Sequence, residues 1–350
     1  MQEAILAVKN LALRYPGSGV FALREFNMEV SAGEVIAIAG QSGSGKSSLL
    51  HALAGLLDAA EGEIFFQGKL LPGPSARLVP GHPDIALAFQ DNRLSPMLSL
   101  ADNLKAAMRG FVPDYIVAET EKLLKLCRIW HLAAKKPVEI SGGERQRAAL
   151  CMALAIHPAV LLLDEPFSNL DIMLKNALLT ELMQLLRSRF TTVILVSHDP
   201  ADALSQADRI FLLKEGELIE SGNTANIYNF PKTDYAAGFF GENNRLNPFE
   251  AGLFFNNENL PAKFKACYIR PHLVHITDIN AHNSESRINV FSHRYKVRSS
   301  VFYGSYRLLS LEPASESGLP LLNAVVAGQT GYGVGNTLLA SISSDDLVFI

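Results

Sequence analysis

Residues Glu34-Val35-Ile36-Ala37-Ile38-Ala39 run directly into Gly40-Gln41-Ser42-Gly43-Ser44-Gly45-Lys46-Ser47. The first six are apolar after the opening glutamate, as a parallel strand buried on both faces should be. The next eight fit G-x-x-x-x-G-K-[ST] at every fixed position, the pattern of a loop that wraps phosphate oxygens with backbone N–H groups. After the loop, Ser48-Leu49-Leu50-His51-Ala52-Leu53-Ala54-Gly55-Leu56 puts Leu49, Leu53 and Leu56 on one side of an expected helix. Strand, loop and helix in this order are the context a phosphate loop needs, which a glycine-rich turn without a ligand does not supply. The glycines keep Cβ atoms away from the phosphates, and the positive end of the new helix points there. Lys46 is placed to reach the β and γ phosphates and Ser47 to put its hydroxyl on Mg²⁺. Gly40, Gln41, Ser42, Gly43, Ser44, Gly45 and Ser48 are the remaining candidate contacts to the nucleotide.

A second constellation lies at Val160 to Asp171, V-L-L-L-D-E-P-F-S-N-L-D. Four apolar residues ending in two carboxylates describe a buried strand with acids at its C-terminal end, where ligands sit in open α/β sheets. Asp164 is the natural Mg²⁺ partner, and Glu165 is placed to orient or deprotonate the attacking water. The plainer reading is a strand that ends in a solvated acidic turn. A further strand, Thr191 to Ser197, ends at His198-Asp199-Pro200. His198 there is either structural or a contact to the γ phosphate.

The stretch Ile140 to Arg147, I-S-G-G-E-R-Q-R, separates one class of phosphate-loop protein from the rest. Together with the motifs above it makes the chain, from Val8 to about Gly222, resemble the nucleotide-binding subunit of an ATP-binding cassette (ABC) transporter. In that family the residues matching Ser141, Gly142, Gly143 and Glu144 bind the γ phosphate of ATP held by the partner subunit's phosphate loop. Ser141 with Glu144 is also a capping-box pattern at the start of a helix, which is compatible with that role. Ile140 stands where the family usually has leucine, and Glu144 where it often has glutamine. The resemblance further implies that Gln90, after the apolar run Ile85 to Phe89, touches Mg²⁺ and the lytic water. It implies that Ser168 to Asp171 cross a dimer interface, and that Tyr15 stacks on adenine. For Asp171 a helix N-cap is the alternative, for Tyr15 a strand-edge position, and for Gln90 an ordinary polar residue after a strand.

The fold so implied is α/β: a RecA-like phosphate-loop core with an antiparallel β subdomain and a helical subdomain at about residues 91–155, together spanning 1–240. The helical subdomain rests on apolar spacing in Leu100 to Met108 and Ile116 to Leu126. In the family it docks on the membrane-spanning subunit; Met97 stands where related importers often have histidine. From 241 to 350 short alternating runs dominate. Tyr295 to Tyr303 and Tyr306 to Leu311 flank the turn pair Gly304-Ser305, the mark of a hairpin in a small all-β domain. With Tyr268-Ile269-Arg270-Pro271-His272 this segment resembles the accessory, oligonucleotide-barrel-like domain of importer ATPases, as a sensor or as a dimerisation module.

Composition sets further limits. With 350 residues and 48% hydrophobic content two domains with real cores are expected. A net charge of −4 gives no reason to expect nucleic acid. No run approaches the roughly 18 apolar residues of a membrane span, and no signal peptide is evident at the N-terminus. The three cysteines are far apart without a metal pattern, which fits reduced thiols. The resemblance, which these limits permit, implies an ATP- and Mg²⁺-dependent importer ATPase on the cytoplasmic face of the membrane. It implies pairing with a second copy of the chain and with permease subunits, and indirectly with a solute-binding protein, the cargo being polyamine, metal ion, oxyanion or sugar. A small-molecule kinase or GTPase lacks the Ile140 to Arg147 stretch, and no N-K-x-D guanine motif is present. A non-transport ABC protein, an exporter, or a scaffold that holds ATP without turnover are the other readings.

Overall fold

The computed structural model describes residues 4–15, 17, 19–88, 94–167, 170–279, 289–315 and 318–350. The chain divides into two compact units, one ending at Ala225 and one running Asn226–Ile350.

The strands of the first unit are β1 (Ala4–Leu13), β2 (Leu23–Ser31), β3 (Val35–Ala39), β4 (Glu61–Phe66), β5 (Lys69–Leu70), β6 (Ile85–Ala88), β7 (Val160–Asp164), β8 (Thr192–Ser197), β9 (Arg209–Lys214) and β10 (Glu217–Asn223). Its helices are α1 (Lys46–Leu53), α2 (Leu100–Ala107), α3 (Pro113–Leu126), α4 (Gly142–Ala155), α5 (Ile172–Ser188) and α6 (Pro200–Gln206). One sheet has the order β10-β9-β3-β8-β7-β6. It is parallel apart from β10, which runs antiparallel to β9. All of β3 and β8 is buried, as their unbroken apolar runs require. A second, antiparallel sheet has the order β2-β1-β4-β5. Ile36 and Ile38 of β3, Leu49, Leu50 and Leu53 of α1, and Leu6, Val8 and Phe26 of the second sheet share one core.

The parallel register fixes where chemistry can sit. Ala39 is opposite Ser197 and Asp164 is opposite Val196, so β3, β7 and β8 end together. Three loops therefore open from one edge of the sheet. Between β6 and β7 lie α2, α3 and α4, and α4 packs on β6, α2 and α3. α2 agrees with the expected span, Met108 serving as its C-cap. α3 begins earlier than its apolar spacing predicts because Pro113 occupies the first turn, where a missing N–H costs nothing. The helix after the phosphate loop is shorter than expected. It stops at Leu53, Gly55 turns into the left-handed region at φ +70, and Leu56 is exposed.

Helix α7 (Thr224–Asn229) contains the division between the units. The second unit adds helices α8 (Asp234–Phe239) and α9 (Pro248–Phe254) to two antiparallel sheets. Strands β11 (Asn244–Leu246), β12 (Cys267–Ile269), β13 (His275–Asp278), β14 (Val290–Phe302), β15 (Tyr306–Pro313), β16 (Leu322–Ala327), β17 (Thr337–Ser343) and β18 (Val348–Phe349) form sheets ordered β11-β12-β18 and β13-β17-β14-β15-β16. The expected hairpin is β14 to β15, with Phe302 paired to Arg307 and Gly304 at φ +83 in the turn. Phe254, Phe255, Val297, Leu309 and Leu338 build its core. Tyr295 is wholly buried there and donates its hydroxyl to the Pro320 carbonyl at 3.0 Å.

Candidate active site

The phosphate loop joins β3 to α1 in a backbone path open only to glycine at two points. Gly40 has φ +146, and a Cβ there would lie 2.2 Å from the Leu213 carbonyl oxygen. Gly45, at φ +98, would place a Cβ 2.2 Å from the Ala22 oxygen. Gly45 is also the N-cap of α1 and offers no side chain to the first turn, so the N–H groups there are left to face a ligand. Ser44 and Ser48 are buried, whereas Gln41, Ser42, Gly43 and Ser47 face outward.

Lys46 runs back along the loop. Its Nζ donates to the Gly40 carbonyl at 2.8 Å, to the Gln41 carbonyl at 2.7 Å and to Ser44 Oγ at 3.4 Å. Burial pushes the ammonium below its usual range, and Glu165 and Asp164 pull the other way. Burial in turn raises the Asp164 carboxyl, with Glu165 adding to the rise and a hydrogen bond from Ser47 opposing it. The two candidate metal ligands, a hydroxyl and a carboxylate, thus lie close enough to influence each other. Hard oxygen donors of this kind suit Mg²⁺.

Glu165 is held in an uncommon conformation for a residue with a side chain, φ 44. Its N–H donates to the Val196 carbonyl at 3.1 Å, and its own carbonyl accepts from Gln146 Nε2 at 3.1 Å. Those two bonds over-determine the turn and aim the carboxylate across the sheet edge. There Glu165 Oε1 meets His198 Nδ1 at 2.8 Å. Phosphate loop, acidic pair and histidine, far apart in sequence, converge at one edge of the sheet.

Other expected residues take clear positions. Tyr15 is 44% exposed, and its hydroxyl is 3.0 Å from Ser48 Oγ, which places its side chain beside the loop. Ser141 is the N-cap of α4. Its N–H and hydroxyl both donate to Glu144 Oε2 at 2.8 Å, and its Oγ accepts from the Glu144 N–H at 3.4 Å. Those bonds hold the Glu144 carboxyl below the usual carboxylate range. A Cβ on Gly142 or Gly143 would meet nothing within 4 Å, so this helix start presents bare backbone. Asp171 caps α5, accepting from the Leu174 N–H at 3.0 Å, and is exposed. Gln90, Ser168 and Asn169 lie outside the described residues.

The sequence reading missed the groups behind the acidic pair. Gln146 ties α4 to the Glu165 turn. Lys175, one helical turn after the cap Asp171, forms ion pairs with Asp199 at 2.8 Å and Asp202 at 2.7 Å. The i, i+4 spacing from Asp171 was the available signal, but it names no partner.

Residues 23–168 match the family model of the ABC transporter, and 136–201 match that of an AAA domain. Over 259 residues the chain is 37% identical to the sn-glycerol-3-phosphate import ATP-binding protein UgpC of Chromobacterium violaceum, covering 73% of this chain and 69% of that protein. This chain belongs to the ABC transporter ATPases. Among solved structures it is similar to the ATP-binding cassette MJ0796 in a dimeric post-hydrolysis state bound to ADP and Pi. That likeness has 27% identity and a TM-score of 0.56, over 63% of this chain and 98% of the other. It is also similar to cbiO1 from Clostridium perfringens, part of the ABC transporter complex cbiONQ, at 31% identity and TM-score 0.55, over 65% and 91% of the two chains. An ABC ATPase binds and hydrolyses ATP, and the edge of the sheet that carries Lys46, Asp164 and Glu165 is the candidate place for it.

Proposed function

We propose that the chain is the ATP-hydrolysing subunit of an importer, in which two copies close around two ATP molecules and so drive permease subunits to move a small solute. The observation that carries this reading is the contact of Glu165 with His198 at 2.8 Å beside Lys46 and Asp164. Mg²⁺, when bound at Ser47, Asp164 and Gln90, neutralises phosphate charge. Lys46 and the N–H groups of Gly40 to Ser48 hold the phosphates, and Tyr15 stacks on the adenine. Glu165 orients a water and accepts its proton as oxygen attacks the γ phosphorus, while the bond to the β-phosphate oxygen breaks to release ADP. His198 keeps Glu165 directed at that water and contacts the γ phosphate.

The start of α4 supplies the second half of each site. Among the described residues every bond Ser141 makes goes to Glu144 or Arg145 within its own helix, and Ser141 is exposed. That helix start receives the γ phosphate of ATP held by another copy, with Asp171 at the same junction. Among the described residues no helix is long and apolar enough to cross a membrane, so attachment to the cytoplasmic face comes through the permease. The solutes of such importers include polyamines, metal ions and the sn-glycerol 3-phosphate of the relative's name. Residues 1–240 form the nucleotide-binding domain in this reading, and 241–350 an accessory β domain.

Glu165→Gln tests the chemistry. The variant is expected to bind ATP with native affinity, release phosphate at least about 100-fold more slowly and accumulate as an ATP-bound dimer. Phosphate release at the native rate would overturn the role of Glu165.

A further inference from the structure

The loop that carries His198 is pinned on both sides by one half-buried cation. Lys175 leaves α5 with its side chain 15% exposed and bonds Asp199 Oδ2 at 2.8 Å and Asp202 Oδ2 at 2.7 Å. Asp199 follows His198 directly, and its Oδ1 caps α6 by accepting from the Ala201 N–H at 3.0 Å. Ser197 precedes His198. Its hydroxyl donates to Asp202 Oδ2 at 3.0 Å and accepts from the Asp199 N–H at 3.0 Å. The backbone at 197 and at 199 is therefore tied to the two carboxylates that Lys175 gathers. A cavity of about 20 Å³ lies among Glu165, Lys175, Ser197, His198 and Asp202, so these side chains converge on one small space.

We propose that Lys175 is a positioning residue for hydrolysis: by holding Asp199 and Asp202 together it sets the His198 imidazole against Glu165. The proposal rests on the reading of Glu165 and His198 given above. Without the cation, Asp199 and Asp202 are two carboxylates facing each other around one hydroxyl, and their repulsion opens the turn. His198 then loses its place while the phosphate loop, which Lys175 does not touch, is left intact. Turnover should suffer and ATP binding should not. Lysine's compact ammonium is not required as such, because a guanidinium spans two carboxylates as well.

The experiment uses the full chain and four variants: Lys175→Met, Lys175→Arg, His198→Ala and the double variant His198→Ala with Lys175→Met. Steady-state ATPase rates give kcat and KM, single-turnover phosphate release follows the slow variants, and thermal melting checks folding. Lys175→Met is expected to lower kcat by about tenfold or more with KM for ATP within about twofold, and Lys175→Arg to recover most of the rate. In the His198→Ala background, Lys175→Met is expected to cost nothing further, because both act through one group. A native kcat in Lys175→Met overturns the proposal, and so does an equal further loss in the His198→Ala background. If Lys175→Met does not melt cooperatively, Asp202→Asn, which removes one of the two ion pairs, enters the same cycle under the same criteria. A native rate in His198→Ala alone refutes the earlier reading of His198, a result seen before Lys175 is changed.

Discussion

Asp164 ends β7 half-buried, and burial, with Glu165 beside it, holds its carboxyl above the usual carboxylate range despite the Ser47 hydroxyl. The folded chain therefore keeps this proton more tightly than the unfolded chain does. As pH rises past 3.8 the unfolded carboxyl ionises first, and stability falls until the folded one has ionised as well. At neutral pH the nucleotide-free protein bears the cost of a charge that, in the proposed function, serves the metal. Asp164→Asn is accordingly expected to melt no lower than the native chain at neutral pH, with any gain shrinking as pH falls towards 3.8, and to lose ATP turnover. Melting curves across pH check this, and a clearly lower melting temperature at neutral pH would contradict it. Gly45 carries the opposite kind of constraint. Its φ of +98 costs an L-residue about 1–3 kcal/mol, and the Ala22 oxygen stands 2.2 Å from any Cβ. Gly45→Ala should reshape the loop and abolish binding in a titration with fluorescent ATP analogue.

Between elements, α3 and α5 are joined by Glu119, 5% exposed, and Arg189, whose Nη1 also donates to the Leu154 carbonyl at 3.2 Å. Removing the carboxylate leaves the guanidinium in a largely dry site. Glu119→Ala should cost about 2–3 kcal/mol, a melting-point drop of roughly 5–10 °C, while leaving ATP affinity native. This pair also shows what a sequence can disclose about the fold. β3 and the phosphate loop were legible because their signals are local, an apolar run and fixed glycines. So were the Ser141 cap and the β14 to β15 hairpin, where the deciding residues are three or four positions apart. The end of α1 was misjudged because Leu56 keeps helical spacing, while the left-handed turn at Gly55 outweighs it. Glu119 with Arg189, and Lys175 with Asp199 and Asp202, went unseen because each pair forms only once distant elements pack. Asp164, Glu165 and His198 could be named from their places at strand ends, but the meeting of Glu165 with His198 at 2.8 Å depends on the parallel register.

For the whole molecule, each proposed site takes its phosphate loop from one copy and the start of α4 from the other, so the two halves can be separated genetically. Lys46→Ala removes the phosphate-holding cation and leaves Ser141, Gly142 and Gly143 intact. Ser141→Arg covers the outward face of α4 with a bulky side chain and leaves the loop intact; it also gives up an N-cap worth about 1 kcal/mol, which a helix of 14 residues buried against β6 can bear. Each variant alone is expected to be inactive. In an equimolar mixture half of the dimers are mixed, and each mixed dimer holds one site built wholly from native parts and one with both defects. The mixture should thus regain up to about a quarter of the native rate if the two sites work independently. Recovery should require ATP concentrations that close the dimer, and it should fall on dilution as the mixed pair dissociates. Phosphate release from the mixture, compared with the sum of the separate variants, makes the measurement. No gain over that sum would mean that a single chain completes its own site.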